Sequence, residues 1–226
     1  MDNLTLVIPA KNEKESLPIV LNELKKFDLN IIIVLEKNDL ETIKSISNYN
    51  CKILYQTNKG YGDALIQGIN EVKTKYFSIF NADGSFVADE LKIMYEILEK
   101  DKSDFVFGSR YMKGASSDDD TIITLVGNKI FSFLGNFLFS LNISDILYTF
   151  VLAKTDCAKS LNLKERKFSL CVELPIKAKK KGFRLLSCPS YERPRIGGKK
   201  KVNAFRDGFL ILLSMIKLFF YKPKIK

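Results

Sequence analysis

Strand-like and helix-like segments alternate from Leu4 to about residue 108, and no other feature constrains the fold of this chain as much. Apolar runs rich in β-branched or aromatic residues recur at Leu4–Pro9, Ile31–Leu35, Lys52–Tyr55, Tyr76–Phe80 and Asp104–Phe107. Segments of helical period fill the intervals, at Glu15–Phe27, Asp39–Ser47, Ala64–Val72 and Asp89–Lys100. This order predicts an α/β domain on a mostly parallel central sheet flanked by helices. Ligands of such sheets gather beyond the carboxyl ends of the strands. The loops expected there are AKNE (10–13), NKGYGD (58–63), NADGS (81–85) and GSRYMKG (108–114), all polar, charged or glycine-bearing.

The remainder is less regular. Asp118–Asp120 reads as an acidic surface loop. Residues 122–143 are mainly apolar, but Gly127, Asn128, Gly135, Asn136 and Asn142 make them a poor membrane span. They predict a long helix whose face of Ile130, Phe133, Phe137 and Leu141 is covered by the core or by lipid. Further helices are expected at Asp156–Leu161 and Leu170–Lys181. An Arg/Lys-rich loop, 192–201, precedes an apolar helix from about Asn203, so the chain divides into a domain over 1–202 and a terminal helix over 203–226.

The net charge of +10 is localised. From Lys177 onward fifteen basic residues face two acidic ones, Glu192 and Asp207, whereas residues 1–176 hold 21 basic and 24 acidic. The same basic stretch contains the apolar segment Phe209–Tyr221, too short for the ~20 residues of a bilayer span. Lysines beside an apolar helix suit an anionic membrane surface better than a nucleic-acid groove, so no nucleic-acid partner is expected. A core or homodimer helix following a solvated basic loop is the alternative.

The chain has no histidine, which excludes Ser-His-Asp and Cys-His nucleophile pairs and leaves acid/base and metal chemistry to carboxylates, Lys, Tyr or Cys. Carboxylates favour hard cations such as Mg²⁺ and Mn²⁺. Cys51, Cys157, Cys171 and Cys188 form no CxxC pair and read as reduced thiols packed as small hydrophobes. The first residues lack a basic stretch ahead of the apolar run, so a cytoplasmic protein is expected rather than a secreted one.

Two loops carry the clearest chemistry. Asp83, on a turn that Gly84 tightens after the fourth strand, can hold a divalent ion that neutralises a diphosphate, or can cap the helix near Asp89. Gly60 and Gly62, with Lys59, can present amides and an ammonium to phosphate, or form an ordinary strand-to-helix turn.

Taken with VIPAKNE (7–13), SDILYT (144–149), FSLCVELPIKAKKKG (168–182) and ERPRIGGKKK (192–201), these loops fall in one order. That order resembles glycosyltransferase family 2, the inverting nucleotide-sugar enzymes of GT-A fold, and within it the branch of dolichyl-phosphate mannose synthase and other polyprenyl-phosphate glycosyltransferases. The resemblance runs from Leu4 to about Phe220. It implies that Pro9, Ala10, Lys11 and Glu13 wall the nucleotide, Lys11 replacing a common aromatic. Leu35 and Glu36 stand where the family has two aspartates for base and ribose. The metal-binding D-x-D becomes Asn81-Ala82-Asp83, with Asp83 as metal ligand, Asn81 offering a neutral carbonyl and Ser85 a further ligand. Arg110, Arg193, Arg195 and Lys199 are expected around the acceptor phosphate, where a guanidinium fork grips oxygens bidentately, although a surface ion pair is the other reading of Arg110. Asp145 matches the family's S-D-x-x-x-G segment, whose glycine and basic residue are Thr149 and Val151 here. Glu173 falls where a base or orienting carboxylate is expected, or is a helix-start carboxylate.

The resemblance implies a metal-dependent transferase on the inner face of the cell membrane that moves a sugar from a nucleotide-diphosphate donor to a lipid-linked, polyprenyl-phosphate type acceptor in envelope glycan synthesis. A saccharide hydroxyl as acceptor is the alternative within the family. A nucleotide-binding protein without turnover is the alternative outside it.

Overall fold

The computed structural model describes Met1, residues 3–197 and residues 203–223. The central sheet runs β3-β2-β1-β4-β7-β5-β8. Its strands are β1 (Leu4–Pro9), β2 (Asn30–Leu35), β3 (Lys52–Tyr55), β4 (Tyr76–Ile79), β5 (Phe105–Ser109), β7 (Val151–Lys154) and β8 (Leu185–Pro189). Only β7 is antiparallel, to both β4 and β5. A separate ladder pairs β6 (Ser116–Ser117) with β9 (Tyr191–Glu192). The helices are α1 (Leu17–Leu24), α2 (Leu40–Ser45), α3 (Tyr61–Glu71), α4 (Glu90–Lys100), α5 (Ile122–Phe139), α6 (Thr155–Ser160), α7 (Leu170–Lys180) and α8 (Ala204–Phe220).

Every strand and helix expected up to residue 108 is present, with ends displaced by a few residues. The first helix is shorter than its periodicity suggests, because its last turn tightens into a 3-10 turn over Lys25–Phe27 that ends at Asp28 in the left-handed region. The antiparallel β7 comes from the less regular remainder of the sequence.

Both faces of β1 are covered, and its residues divide by the two-residue repeat of a strand. Val7 joins the core under α3, α7 and α8, while Leu4, Leu6 and Ile8 join the core under α1 and α4. The chain leaves β1 for β2 and β3 on one side and returns to β4 on the other. The carboxyl ends of β1 and β4 therefore diverge and open a crevice.

The helix α5 has its amphipathicity reversed. It buries Asn128, Ser132, Gly135 and Phe139, and it exposes Ile122, Ile123, Val126, Ile130, Phe133 and Phe137. Its small and polar residues are its docking face. Asn128 Nδ2 donates to Tyr111 Oη at 2.8 Å, Ser132 Oγ accepts from the Ile146 amide at 3.1 Å, and a Cβ on Gly135 would lie 2.7 Å from Ile146 Cδ1. The residues that make this segment a poor isolated membrane span are thus the ones that seat it on the protein. By length and composition α5 is the one helix among the described residues that could cross a membrane. Of its expected face, Ile130, Phe133 and Phe137 are exposed and Leu141 lies in the core. The terminal helix α8 packs beside it, burying Ile211, Met215 and Leu218 in the core under α3 and α7 and exposing Phe205, Phe209, Ile216, Phe219 and Phe220.

Candidate active site

A cleft of about 430 Å³ lies at the β1/β4 crevice, within the size range of small-molecule sites. Loop geometry at its floor follows from the sequence. After β1, Asn12 adopts φ 53°, a left-handed conformation that asparagine tolerates, and its amide donates to Asp39 Oδ2 at 2.7 Å. Lys11 Nζ reaches Glu36 Oε1, beyond β2, at 2.7 Å. The Glu13 carboxylate accepts from Ser16 Oγ at 2.8 Å and so holds the entry to α1.

After β4, Gly84 turns at φ 81°, and a Cβ there would sit 2.4 Å from Ile196 Cδ1. Ile196 belongs to the basic loop, which is laid along NADGS by two backbone hydrogen bonds: the Arg193 amide donates to Ser85 O at 2.8 Å and the Ile196 amide to Asp83 O at 2.9 Å. Asp83 is buried, and Oδ1 accepts from the Ser85 amide (3.0 Å) and Ser85 Oγ (2.7 Å). Its Oδ2 accepts from Arg195 Nη2 at 3.0 Å, while Arg195 Nε is buried without a partner among the described residues. An unpartnered guanidinium donor beside a carboxylate suits an arriving anion.

The opposite wall is built around Arg110, whose side chain is 7% exposed. Nε and Nη2 fork onto Asp145 at 2.7 and 3.1 Å, and Nη1 reaches Glu192 Oε2 at 3.0 Å and Asp120 Oδ1 at 3.4 Å. Burial alone would lower the Arg110 pKa, but Asp145 and Glu192 hold it above the ordinary arginine value. The guanidinium lies over the Tyr148 ring at 4.6 Å. Burial pushes the Glu192 carboxyl up, against the opposing pull of Arg110. At the back, Tyr61 stacks on Phe168 at 5.1 Å and shares a 2.7 Å hydrogen bond with Thr149; burial pushes its phenol up. Cys171 is inert there, its thiol pushed up to about 12 by burial.

Of the expected site residues, Pro9, Ala10, Lys11, Glu13, Glu36, Gly60, Asn81, Asp83, Arg110 and Arg195 line this cleft. Asp145 stands behind Arg110 as its partner. Lys59 is exposed outside the lining, and Lys199 lies outside the described residues. Arg193 turns away to Glu23, 2.9 Å from its Nη2, and ties the basic loop to α1. Glu173 is not brought to the cleft. Its buried carboxylate accepts from the Lys164 and Glu165 amides at 2.9 and 2.8 Å and pairs with Lys177 at 2.6 Å, so it holds the 164–167 loop and cannot reach a substrate as a base. The Gly60–Gly62 turn meets that same loop, and the Asp63 amide donates to Arg166 O at 3.0 Å, so Gly62 packs on backbone outside the lining while Gly60 stays at the cleft.

Gly62→Ala would place a Cβ 2.2 Å from Glu165 O and 2.6 Å from Lys167 O. A loss of about 1–3 kcal/mol is expected, visible as a lower Tm. Gly127→Ala, in α5 with nothing within 4 Å of its Cβ, serves as control and should hold or raise Tm.

Sequence reasoning missed Glu192, Asp119 and Asp120, which line the cleft. Of the acidic run at 118–120, expected at the surface, Asp118 is exposed, whereas Asp120 turns inward to Arg110 and Tyr111, with Tyr111 Oη 2.6 Å from Asp120 Oδ2. Glu192 did carry a signal, as one of two acids among fifteen bases from Lys177 onward.

The fold is that of the GT-A glycosyltransferases. The model of "Glycosyl transferase family 2" matches residues 5–161, and the chain belongs to this family. An uncharacterized glycosyltransferase of Mycobacterium tuberculosis is 26% identical over 212 residues, covering 94% of this chain and 95% of that one. The UDP-N-acetylglucosamine–dolichyl-phosphate N-acetylglucosaminyltransferase of Methanococcus voltae is 25% identical, covering 81% of this chain and 83% of that one. Glucosyl-3-phosphoglycerate synthase from M. tuberculosis, solved with Mn²⁺, UDP and glucosyl-3-phosphoglycerate, superposes with a TM-score of 0.70 at 9% identity, over 100% of this chain and 81% of that one.

Proposed function

We propose that this chain is an inverting transferase that moves a sugar from a nucleotide-diphosphate donor to a lipid-linked acceptor while lying on an anionic membrane. The observation that carries this reading is the position of the cleft. One side is the strand-end crevice with Asp83 and Arg195; the other is lined by Thr124 and Asn128 of α5 and Ile211 of α8, the two helices that expose apolar faces. Exposed Lys129, Arg206 and Lys217 flank those faces, and the one acid on the two helices, Asp207, is buried. Apolar side chains among cations suit an anionic interface. The name of the M. voltae relative supports a lipid-linked acceptor, and four free cysteines suit a reducing, cytoplasmic face in envelope glycan synthesis.

In this reading Glu36 and Lys11, paired at 2.7 Å, meet the nucleoside. Arg195 meets the diphosphate, its Nε, unpartnered among the described residues, being the waiting donor. Asp83, Asn81 and Ser85 offer hard oxygen donors, and Asp83 Oδ2 accepts from the Arg195 guanidinium. With a single carboxylate they fit a Mg²⁺ or Mn²⁺ ion that draws its other ligands from phosphate; such an ion, when bound, supplies charge neutralisation to the departing diphosphate. Ser85 and the Ile196 contact hold Asp83 in place for that task.

The test combines donor and surface. The protein is incubated with Mn²⁺, a panel of UDP- and GDP-sugars, and vesicles of phosphatidylglycerol or phosphatidylcholine loaded with total polar lipid extract. Binding to the anionic vesicles and release of nucleoside diphosphate are expected. Phe133→Asp with Phe209→Asp should abolish flotation with vesicles and leave nucleotide affinity intact. Equal partition of wild type and variant would sink the membrane reading.

A further inference from the structure

We infer that the acceptor presents a neutral hydroxyl to this cleft, and that Glu192 is the catalytic residue that takes its proton. The inference rests on the transferase reading above. An arginine expected to grip a phosphate needs open donors, and this one has few. Arg110 has five N–H groups. Four of its donor directions run to carboxylates, at Asp145 Oδ2 (2.7 Å), Asp145 Oδ1 (3.1 Å), Glu192 Oε2 (3.0 Å) and Asp120 Oδ1 (3.4 Å). One buried cation is thus surrounded by three carboxylates, none more than 10% exposed. Among the described residues this cluster sets three carboxylates against one cation in a partly desolvated setting, where like charges repel strongly. A phosphate acceptor would have to enter against that field. A hydroxyl meets no such barrier, and carboxylates accept its hydrogen bond well.

A hydroxyl also needs a base, which a phosphate does not. Glu192 is suited to it by position. Its Oε2 is tied to Arg110 and Ser117, and its Oε1 makes no hydrogen bond among the described residues while the residue lines the cleft. It stands three residues before Arg195, a length of chain that spans at most about 11 Å. A sugar ring can therefore lie between the diphosphate held at Arg195 and a nucleophile held at Glu192. Burial raises the Glu192 carboxyl, bringing it nearer the basicity a proton acceptor requires. In the step, the hydroxyl oxygen forms its bond to the anomeric carbon as the bond from that carbon to the diphosphate oxygen breaks. The electron pair leaves with the nucleoside diphosphate, and the hydroxyl proton passes to Glu192 Oε1.

The experiment offers two acceptors in the same detergent micelles with Mn²⁺ and a panel of UDP- and GDP-sugars: undecaprenyl phosphate, and a neutral set of octyl glycosides and diacylglycerol. Products are read by mass spectrometry, and UDP and GDP affinities by calorimetry. A glycosylated neutral acceptor and unchanged undecaprenyl phosphate are expected. Glu192→Gln should lower hydroxyl transfer about a hundredfold or more with nucleoside-diphosphate affinity kept within about twofold, and Glu192→Asp should recover part of the rate. Glycosylated undecaprenyl phosphate, or a Gln variant as fast as wild type, overturns the inference. So does a wild-type protein that binds UDP or GDP and uses neither acceptor, a result that leaves the donor reading standing. Absence of any nucleotide-sugar binding or turnover removes the proposed function, and this inference with it. The acceptor comparison uses the unaltered protein and does not depend on the variants folding.

Discussion

Arg110→Met is expected to cost about 3–5 kcal/mol of stability, since removing one partner of a buried ion cluster leaves uncompensated charge behind. Here the loss exposes Asp145, Glu192 and Asp120 to one another, with side chains 0, 10 and 9% exposed. Against a typical total of about 5–15 kcal/mol, such a change threatens folding itself. Urea unfolding of the two proteins measures it. Arg110→Lys should recover only part, because an ammonium cannot fork onto Asp145 as the guanidinium does. The pH dependence has a definite sign. The Glu192 carboxyl is raised in the folded protein by burial, partly offset by Arg110. A group that binds its proton more tightly when folded adds stability as pH falls through its raised value. Without Arg110 that rise grows, so the gap between variant and wild type should narrow from neutral toward acidic pH. A gap that widens on acidification, or a variant as stable as wild type, would show that Arg110 is a ligand contact first and a structural hub second.

Asp83→Ala is expected to lower glycosyl transfer about 100- to 1,000-fold, the scale on which a preorganised electrostatic group at a departing charge is felt. The same change releases Arg195 and removes both Ser85 hydrogen bonds, so the turn itself is disturbed. Asp83→Asn separates these effects. Its amide oxygen can still accept from the Ser85 amide, holding the turn, while the charge is gone. Transfer should stay low in both variants, whereas Tm should fall in the Ala variant and recover in the Asn variant. If Asn restores transfer, the charge of Asp83 is not what the reaction uses.

How far the sequence reveals this molecule depends on how local each signal is. The alternation of strands and helices is written in neighbouring residues, so the sheet, its crevice and the loops at its edge are legible before any coordinates. Glycines with steric duties are legible too, though not their partners: Gly84 yields to Ile196 and Gly62 to the backbone of residues 165–167. What is not legible is how charges are spent across distance. Arg110 and Glu192 lie 82 positions apart, and nothing in GSRY indicates that its arginine is already occupied. Glu173 shows the reverse case, a carboxylate at a promising position in the chain that folding turns inward onto the Lys164 and Glu165 amides. The antiparallel β7 is unreadable for a related reason. Its four residues gain strand character only from β4 and β5 on either side.

The reversed seating of α5, with Asn128, Ser132 and Gly135 inward and Phe133 and Phe137 outward, also bears on kinetics. Under the proposed membrane reading, a chain resting on that face would meet its acceptor by lateral diffusion in two dimensions. The governing concentration is then the number of acceptors per unit area of lipid, and dilution with inert lipid slows the encounter even when the total amounts of protein and acceptor are unchanged.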